Sequence, residues 1–420
     1  MFTRIKKILK ITVKTVSVFL ITALSAALTV YFGTLYIPSE RASGSTRHAL
    51  VDERDFLITD GTLVKNLNDE IVSLRGTNAG GWLVYERWQC PANAPDQKTL
   101  IDVLTDRFGA AVRDELIAVY EESYWQTRDF DNLAEMGVTL VRLPFTVFNL
   151  YGDDGELREN AFSRIDWFVE NCAERGIYVV IDLHGAFGSQ NGEHHSGQTN
   201  DGSLLYKSPE NRAKTKELWK IIAARFKDNP AVAAYDLLNE PDNDTGRTGA
   251  EQMDYFDELY DAVRSVDGRH IIMIESCWTV LDIAPPIKYG WKNVIYQYHH
   301  YVREFSGDED MQKRLSDLMV LTVRSVNFAY NVPTYMGEFA FFDNFGAWEY
   351  ALSAYNRVGF MWTTWSYKAK GDTSWGLYNQ FVEDADVYND SADTIREKWS
   401  KVGYEYAVES RVKPHIEKYF

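Results

Sequence analysis

The sequence predicts a single (β/α)8 barrel, an α/β fold in which eight parallel strands alternate with helices. From about residue 54, short apolar runs alternate with longer amphipathic segments, as in parallel strands linked by helices. Polar residues suited to catalysis stand near the ends of nearly all these runs, where barrel enzymes place their sites. The 420 residues are enough for one barrel of about 250 residues or more and a small accessory segment.

The predicted strands are short apolar runs, many of them β-branched, and the segments between them have apolar residues at helical spacing. The strands are residues 71–78, 139–145, 178–184, 233–240, 270–276, 294–299, 333–339 and 359–366. The helices include residues 161–175, 209–227, 249–266 and 310–331. Eight strands close this type of barrel. A doubly wound open sheet is the alternative, and the positions of the polar residues favour the barrel.

The composition excludes several classes of ligand. The formal net charge is -17, whereas nucleic-acid binders need clustered Lys and Arg. Aromatic residues make up 14% of the chain, which suits a large core and also supplies rings on which sugars stack. The three cysteines are scattered and predict neither a disulfide framework nor a zinc site. We therefore expect a neutral ligand such as a polysaccharide, with no cofactor and no metal.

The first 53 residues are predicted to target the protein to a membrane and to link it to the barrel, not to form part of the barrel. Residues 1–14 are a basic tail, and the uncharged run 15–37 would span about 34 Å as a helix, enough to cross a bilayer. Basic residues before the run place residues 1–14 in the cytoplasm and the body outside. We therefore predict a signal-anchor, a linker at 38–53 and a catalytic domain at 54–420. A cleaved signal peptide, which would release a secreted protein, is the alternative.

Two carboxylates form the predicted catalytic pair. Hydrolysis of a glycosidic bond needs one carboxyl group to protonate the leaving oxygen and a second to meet the positive charge at the anomeric carbon. Glu240 ends the fourth predicted strand in the segment Leu-Leu-Asn-Glu-Pro, and Glu338 lies near the end of the seventh, directly after Gly337. The ends of the fourth and seventh strands face each other across a closed barrel. This arrangement permits the ~5–5.5 Å separation of a retaining glycosidase.

The other strand ends supply groups that would position the pair and the sugar. We expect Arg142 to donate to Glu338 and keep it ionised, and aromatic surroundings to keep Glu240 protonated near neutral pH. Asn239 would hold a sugar hydroxyl. The remaining predicted groups orient the carboxylates or stack against the sugar ring: they are His184, His299, Tyr301 and Trp365. The segment 192–195 contains two histidines but lacks the spacing that places both on one helix face for a metal.

These motifs resemble glycoside hydrolase family 5, from about residue 58 to the last strand. Residues 74–86, Leu-Arg-Gly-Thr-Asn-Ala-Gly-Gly-Trp-Leu-Val-Tyr-Glu, and 182–192, Asp-Leu-His-Gly-Ala-Phe-Gly-Ser-Gln-Asn-Gly, are similar to its exo-β-1,3-glucanase branch. The resemblance implies that Glu240 is the acid/base and Glu338 the nucleophile, and that Glu86 contacts the terminal sugar. Six further residues would line the site: Arg142, His184, Asn239, His299, Tyr301 and Trp365. The segment 365–375 departs from the typical glucanase ending, which leaves the linkage open.

We therefore expect a membrane-bound, extracellular hydrolase of a β-glucan, most simply an exo-type β-1,3-glucanase or β-glucosidase. An endo-acting β-1,4-glucanase or a transglycosylase would use the same covalent intermediate. A barrel that binds carbohydrate without catalysis is a third possibility, because a fold does not establish activity. An adhesin for a protein partner has no supporting feature beyond the anchor. The sequence does not determine the sugar or the oligomeric state.

Overall fold

The structure, a computed structural model, describes residues 48–242, 249–276 and 279–420. The predicted cytoplasmic tail and signal-anchor, at residues 1–37, and most of the predicted linker lie outside these ranges. Within them, no helix is both long and apolar enough to cross a bilayer.

Eight parallel strands form a closed barrel in the order β10-β3-β4-β5-β6-β7-β8-β9, which confirms the (β/α)8 prediction. Two smaller sheets accompany it, an antiparallel hairpin of β1 and β2 and a three-stranded sheet of β11, β12 and β13. The strands are β1 (Leu57–Asp60), β2 (Leu63–Asn66), β3 (Arg75–Asn78), β4 (Leu140–Thr146), β5 (Tyr178–Gly185), β6 (Val232–Asp236), β7 (Ile271–Glu275), β8 (Val294–Tyr301), β9 (Thr334–Ala340), β10 (Met361–Thr364), β11 (Lys368–Lys370), β12 (Tyr378–Gln380) and β13 (Ala407–Glu409).

Helices surround the barrel and fill the segments between its strands. The α-helices are Gln97–Phe108, Ala110–Tyr124, Thr127–Met136, Val147–Leu150, Ser163–Glu174, Pro209–Phe226, Ala250–Arg264, Pro286–Tyr289, Glu309–Tyr330, Phe345–Val358, Ala392–Trp399 and Lys413–Ile416. Local signals set several ends. Asp308 caps the longest of these helices by accepting from the Met311 N–H, and Asn331 ends it in the left-handed conformation that stops helices.

The barrel strands are buried because helices cover their outer surface and side chains fill the interior. Every residue of β4, β5, β6, β7 and β9 is buried. These continuous apolar runs explain why the sequence located all eight strands. Their boundaries differ most from prediction in two places. Ile71 pairs with Lys65 instead of β4, so β3 begins only at Arg75, and β6 ends at Asp236, four residues before Glu240.

The hairpin β1–β2 packs at the amino-terminal end of the barrel. The Thr59 N–H donates to Asn293 Oδ1 at 2.8 Å, just before β8 begins. Tyr178, at the start of β5, donates to the Asp55 carbonyl at 2.8 Å. The hairpin therefore lies opposite the carboxyl-terminal ends of the strands, where the polar residues collect. Neither this hairpin nor the sheet β11–β13 was predicted from the sequence.

Candidate active site

Arg142 is the centre of the polar cluster inside the barrel mouth. It lies on β4, is fully buried, and donates through Nη1 to Glu338 Oε1 at 2.7 Å. Its Nη2 donates to Asn239 Oδ1 at 2.8 Å and its Nε to Asp236 Oδ2 at 2.8 Å. Asp182 lies 3.1 Å from Nη2. One guanidinium thus fixes groups from four neighbouring parts of the barrel, and the predicted contact between Arg142 and Glu338 is present.

Glu338 is held in a defined orientation on β9. Its second oxygen, Oε2, accepts a hydrogen bond from the Tyr301 hydroxyl at 2.9 Å, and its side chain is only 6% exposed. Gly337 leaves room beside it, because an added Cβ would lie 2.8 Å from the Gln297 side chain. Each oxygen of Glu338 thus accepts a hydrogen bond, one from the Arg142 guanidinium and one from the Tyr301 hydroxyl, and these two contacts fix the orientation of its carboxyl group.

Glu240 stands on the loop after β6 rather than on the strand. Its φ of 42° is unusual for a residue with a side chain, and Pro241 follows directly. Its backbone N–H donates to Glu275 Oε2 at 2.9 Å. The side chain is 35% exposed. A strained loop, fixed by a buried carboxyl group from β7, therefore presents the Glu240 carboxyl group to the mouth of the barrel.

The surroundings of Glu240 differ from the aromatic environment that was predicted. His299 Nδ1 lies 2.9 Å from Oε1 and His195 Nε2 lies 3.1 Å from Oε2. Burial alone would raise the pKa of Glu240, but these two histidines hold it well below its usual range. The prediction of a carboxyl group that keeps its proton through aromatic surroundings is wrong, because the loop after β5 folds back and places His195 against it.

The two carboxylates lie close together. One oxygen of Glu240, one oxygen of Glu338 and one ring nitrogen of His299 are all within 4.8 Å of one another. Oxygens within this limit are compatible with the ~5–5.5 Å carboxyl separation of retaining glycosidases and closer than the ~6.5–9.5 Å of inverting ones. Two carboxylates and a histidine could also bind a small cation. The Arg142 guanidinium, however, already supplies a positive charge 2.7 Å from Glu338.

His184 and Trp365 form the floor of the site. Their rings stack 5.3 Å apart with an interplanar angle of 15°. His184 Nδ1 lies 2.8 Å from Asp182 Oδ2. Burial lowers the pKa of His184 to about 3, which keeps the ring neutral. Burial also raises the pKa of Asp182, to about 7, although Arg142 opposes the shift.

Asn239 has one amide group available. Its Oδ1 is occupied by Arg142, whereas its buried Nδ2 has no hydrogen-bond partner among the described residues. A buried unpaired donor is costly, so this N–H group is suited to a ligand oxygen. The Asn239 carbonyl accepts from Gln190 Nε2 at 2.8 Å, which fixes the backbone from the loop after β5.

Glu86 and a group of aromatic rings line one side of the mouth. Glu86 Oε2 accepts from Trp88 Nε1 at 2.7 Å and lies 3.3 Å from His194 Nε2. Trp88 packs 5.1 Å from Trp375. Trp375 in turn lies 5.5 Å from Tyr301, the donor to Glu338. The contacts therefore continue from Glu86 to Glu338 along this side.

All nine predicted site residues thus lie in this mouth, but several neighbours were not predicted. Glu275 is a missed carboxyl group that contacts the Glu240 backbone, and burial raises its pKa to about 8 although His299 opposes the shift. Its position at the end of the fifth predicted strand was a usable signal. His195 and Trp375 lie on loops, where strand periodicity gives no information about direction.

Comparison with known proteins identifies the family. Residues 108–371 match the family model described as cellulase (glycosyl hydrolase family 5). The chain belongs to this family. The resemblance stated from the sequence is confirmed, and with it the prediction of a glycoside hydrolase at the level of the family.

Curated relatives are consistent with the same grouping. A probable glucan 1,3-β-glucosidase A of Aspergillus fumigatus is 31% identical over 238 residues, 54% of this chain and 55% of the relative. A β-xylosidase of Phanerodontia chrysosporium is 26% identical over 251 residues, 59% of this chain and 52% of the relative. The chain spans about half the length of the curated relatives it matches.

Among solved structures, an endogalactoceramidase has a TM-score of 0.58 at 18% identity, covering 87% of this chain and 84% of that one. The endoglucanase Cel5A of Thermotoga maritima has a TM-score of 0.52 at 21% identity, covering 80% of this chain and 97% of that one. At such identities the likeness concerns the fold.

Proposed function

We propose that this chain is a retaining β-glycosidase that hydrolyses a β-glucan, with Glu240 as acid/base and Glu338 as nucleophile. The observation that carries the proposal is the approach of the two carboxylates to within 4.8 Å, in environments that differ. Glu338 is buried and accepts hydrogen bonds from Arg142 and Tyr301, whereas Glu240 is partly exposed between two histidines.

The proposed reaction has two steps. In the first, Glu338 attacks the anomeric carbon, the glycosidic bond breaks, and the leaving oxygen takes a proton from Glu240. In the second, Glu240 removes a proton from water, the water oxygen bonds to the anomeric carbon, and Glu338 is released. The unpaired Nδ2 of Asn239 donates to a sugar hydroxyl, a contact that strengthens in the transition state of such enzymes.

For the specificity, we propose exo-type action on β-1,3-linked glucan. The aromatic side of the mouth supports it, because Glu86 and the packed, tilted rings of Trp88 and Trp375 line that side and would meet a terminal sugar. The glucan 1,3-β-glucosidases among the relatives support the linkage. Endo-β-1,4-glucanase action and transglycosylation remain the alternatives, together with sugar binding without catalysis.

The test is to incubate the full chain with laminari-oligosaccharides and with cello-oligosaccharides and to follow products and anomeric configuration by NMR. We expect retention, single glucose units as the first products and a preference for laminari-oligosaccharides. Glu240→Gln and Glu338→Gln should abolish turnover. Glu349→Gln is the matched control, because Glu349 also contacts a histidine, His415, but is not one of the residues of the barrel mouth. Inversion would overturn the role of Glu338, and binding without turnover would favour the non-catalytic alternative.

We also propose that residues 15–37 anchor the protein in a membrane, with residues 1–14 in the cytoplasm and the barrel outside the cell. The uncharged run of 23 residues after a basic tail supports this. Activity should then sediment with washed membranes. Activity found solely in the culture supernatant would instead indicate a cleaved signal peptide.

A further inference from the structure

His195 approaches the carboxyl group that the proposed reaction needs as its acid. His195 lies in a short 3-10 helical turn, His194–Ser196, within the loop after β5. Its Nε2 is 3.1 Å from Glu240 Oε2, and its side chain is 19% exposed. The other oxygen of Glu240 faces His299. Each oxygen of the acid/base therefore contacts one imidazole ring.

Asn191 restricts the state of the His195 ring. Its Oδ1 accepts from the Glu193 N–H at 2.9 Å, and its Nδ2 donates to the Glu240 carbonyl oxygen at 3.1 Å. These two fixed partners set the orientation of the amide. The second N–H of Nδ2 is then directed at His195 Nε2, 2.8 Å away. One nitrogen of His195 thus lies between an amide donor and a carboxyl oxygen.

This geometry permits two arrangements of one proton. When His195 Nε2 is unprotonated, its single lone pair faces both the Asn191 N–H and Glu240, and its contact with Glu240 is a hydrogen bond only if Glu240 carries the proton. When Nε2 is protonated, it donates to Glu240 Oε2 as a charge-assisted hydrogen bond. In both arrangements a single proton joins the two side chains.

We infer that Glu240 and His195 share one proton and deliver it to the leaving oxygen as a unit, with His195 as a positioning residue that acts through Glu240. The inference rests on the proposed function. In the first step the leaving oxygen takes this proton as the glycosidic bond breaks, leaving a carboxylate beside a neutral imidazole. In the second step the pair regains one proton from the attacking water. The pair therefore begins and ends each cycle in the same state.

Other charged and titratable groups around Glu240 come from three neighbouring strands. Glu275 on β7 accepts from its backbone N–H, His299 on β8 contacts its carboxyl group, and Glu338 on β9 lies within 4.8 Å. Burial opposes a charge on His299, but Glu275 and Glu338 raise its pKa to about 10. His299 is therefore cationic at neutral pH, and it stays in place in a His195 variant, so that such a variant tests His195 alone.

The groups around His195 are His184, His194, Glu86 and the catalytic pair. The His184 and His194 rings lie 6.2 and 5.5 Å away. Burial works against a charge on His195, but Glu240 and Glu86 raise its pKa to about 9. For such a coupled pair the proton leaves in one step that belongs to both groups. The pair thus keeps its proton far above the usual range of a lone glutamic acid, ~4.3.

The first experiment compares the pH dependence of kcat/KM on aryl β-glucosides for the full-length chain and for His195→Asn. We expect the alkaline limb of the natural chain near pH 9 and that of the variant at least about two pH units lower. At pH 8 the variant should lose tenfold or more in kcat/KM. The loss should be larger for poor leaving groups than for dinitrophenolate, which needs no proton. The matched control is His415→Asn, a histidine that pairs with Glu349 at 2.7 Å, and its profile should not move.

An independent measurement follows the histidine ring by 15N NMR, with the His195 signal assigned from His195→Asn. The ring should titrate near pH 9 in the natural chain and below about 6.5 in Glu240→Gln, where burial remains but the carboxylate is gone. An unmoved alkaline limb in His195→Asn, or the same His195 titration in Glu240→Gln, would overturn the shared proton. Failure of the natural chain to turn over any glycoside would overturn the proposed function instead, and the NMR titration would still decide the inference.

Discussion

Arg142→Lys should both destabilise the protein and impair turnover. The guanidinium makes five polar contacts, to Asn78, Asp182, Asp236, Asn239 and Glu338. A lysine ammonium keeps the positive charge but has only three donors, so at least two contacts are lost. At ~1.5–3 kcal/mol for each hydrogen bond to a charged group, the free energy of unfolding should fall by about 3–6 kcal/mol.

The same change should lower kcat/KM by at least about 100-fold, equivalent to ~2.7 kcal/mol, because Glu338 and Asn239 lose their common donor. Urea unfolding followed by far-UV circular dichroism at pH 7 measures the stability, and an aryl β-glucoside measures the activity. Arg128→Lys is the matched control, since Arg128 is 50% exposed and pairs with surface Glu135, a type of contact worth ~0–1 kcal/mol. A free energy of unfolding for Arg142→Lys within about 1 kcal/mol of the natural chain would refute the reasoning.

Three further changes test other parts of the site. Tyr301→Phe removes the donor to Glu338 Oε2 and should lower kcat/KM by about 10–100-fold, measured at saturating and limiting substrate; an unchanged value would contradict the contact. Burial raises the pKa of Glu275 to about 8, so the folded chain keeps a proton that the unfolded chain loses above ~4.3, and stability falls as pH rises through this window. Glu275→Gln should therefore lose less stability than the natural chain between pH 5 and pH 8, as judged from urea midpoints; parallel losses would count against the shift. Lys368 and Asp129 form a fully buried ion pair at 2.9 Å, so Lys368→Met, which removes the cation, should cost about 3–5 kcal/mol in the same unfolding assay. A cost below about 1 kcal/mol would contradict this contribution of the pair.

The strands and the central contacts of the site could be predicted because they depend on periodicity. Continuous apolar runs marked the barrel strands, and a closed barrel brings strand ends together whatever their distance in sequence. Arg142, Glu338 and Tyr301 lie on β4, β9 and β8, so the alternation of the strands places them in one mouth. The site residues that lie on barrel strands could therefore be predicted from the sequence.

The missed features depend on loops and on pairing between distant segments. His195 reaches Glu240 only because the loop after β5 turns back across the mouth, and Asn191 holds it there. The spacing of residues in the sequence does not predict the path of this loop. The hairpin β1–β2 was also missed because its strands have only four residues each, although Gly61, which has a positive φ, marks the turn between them. The assumed aromatic environment of Glu240 was wrong because a neighbouring loop determines it.

The hairpin at the amino-terminal end of the barrel has a consequence for access to substrate. The chain enters the described domain beside it, where the Leu50 N–H donates to the Ala173 carbonyl at 2.9 Å at the end of helix Ser163–Glu174. Whatever holds the protein through residues ahead of Leu50 therefore attaches to the face opposite the mouth. A tether of this kind would point the mouth outward, so that a long glucan chain could approach it without passing the supporting surface.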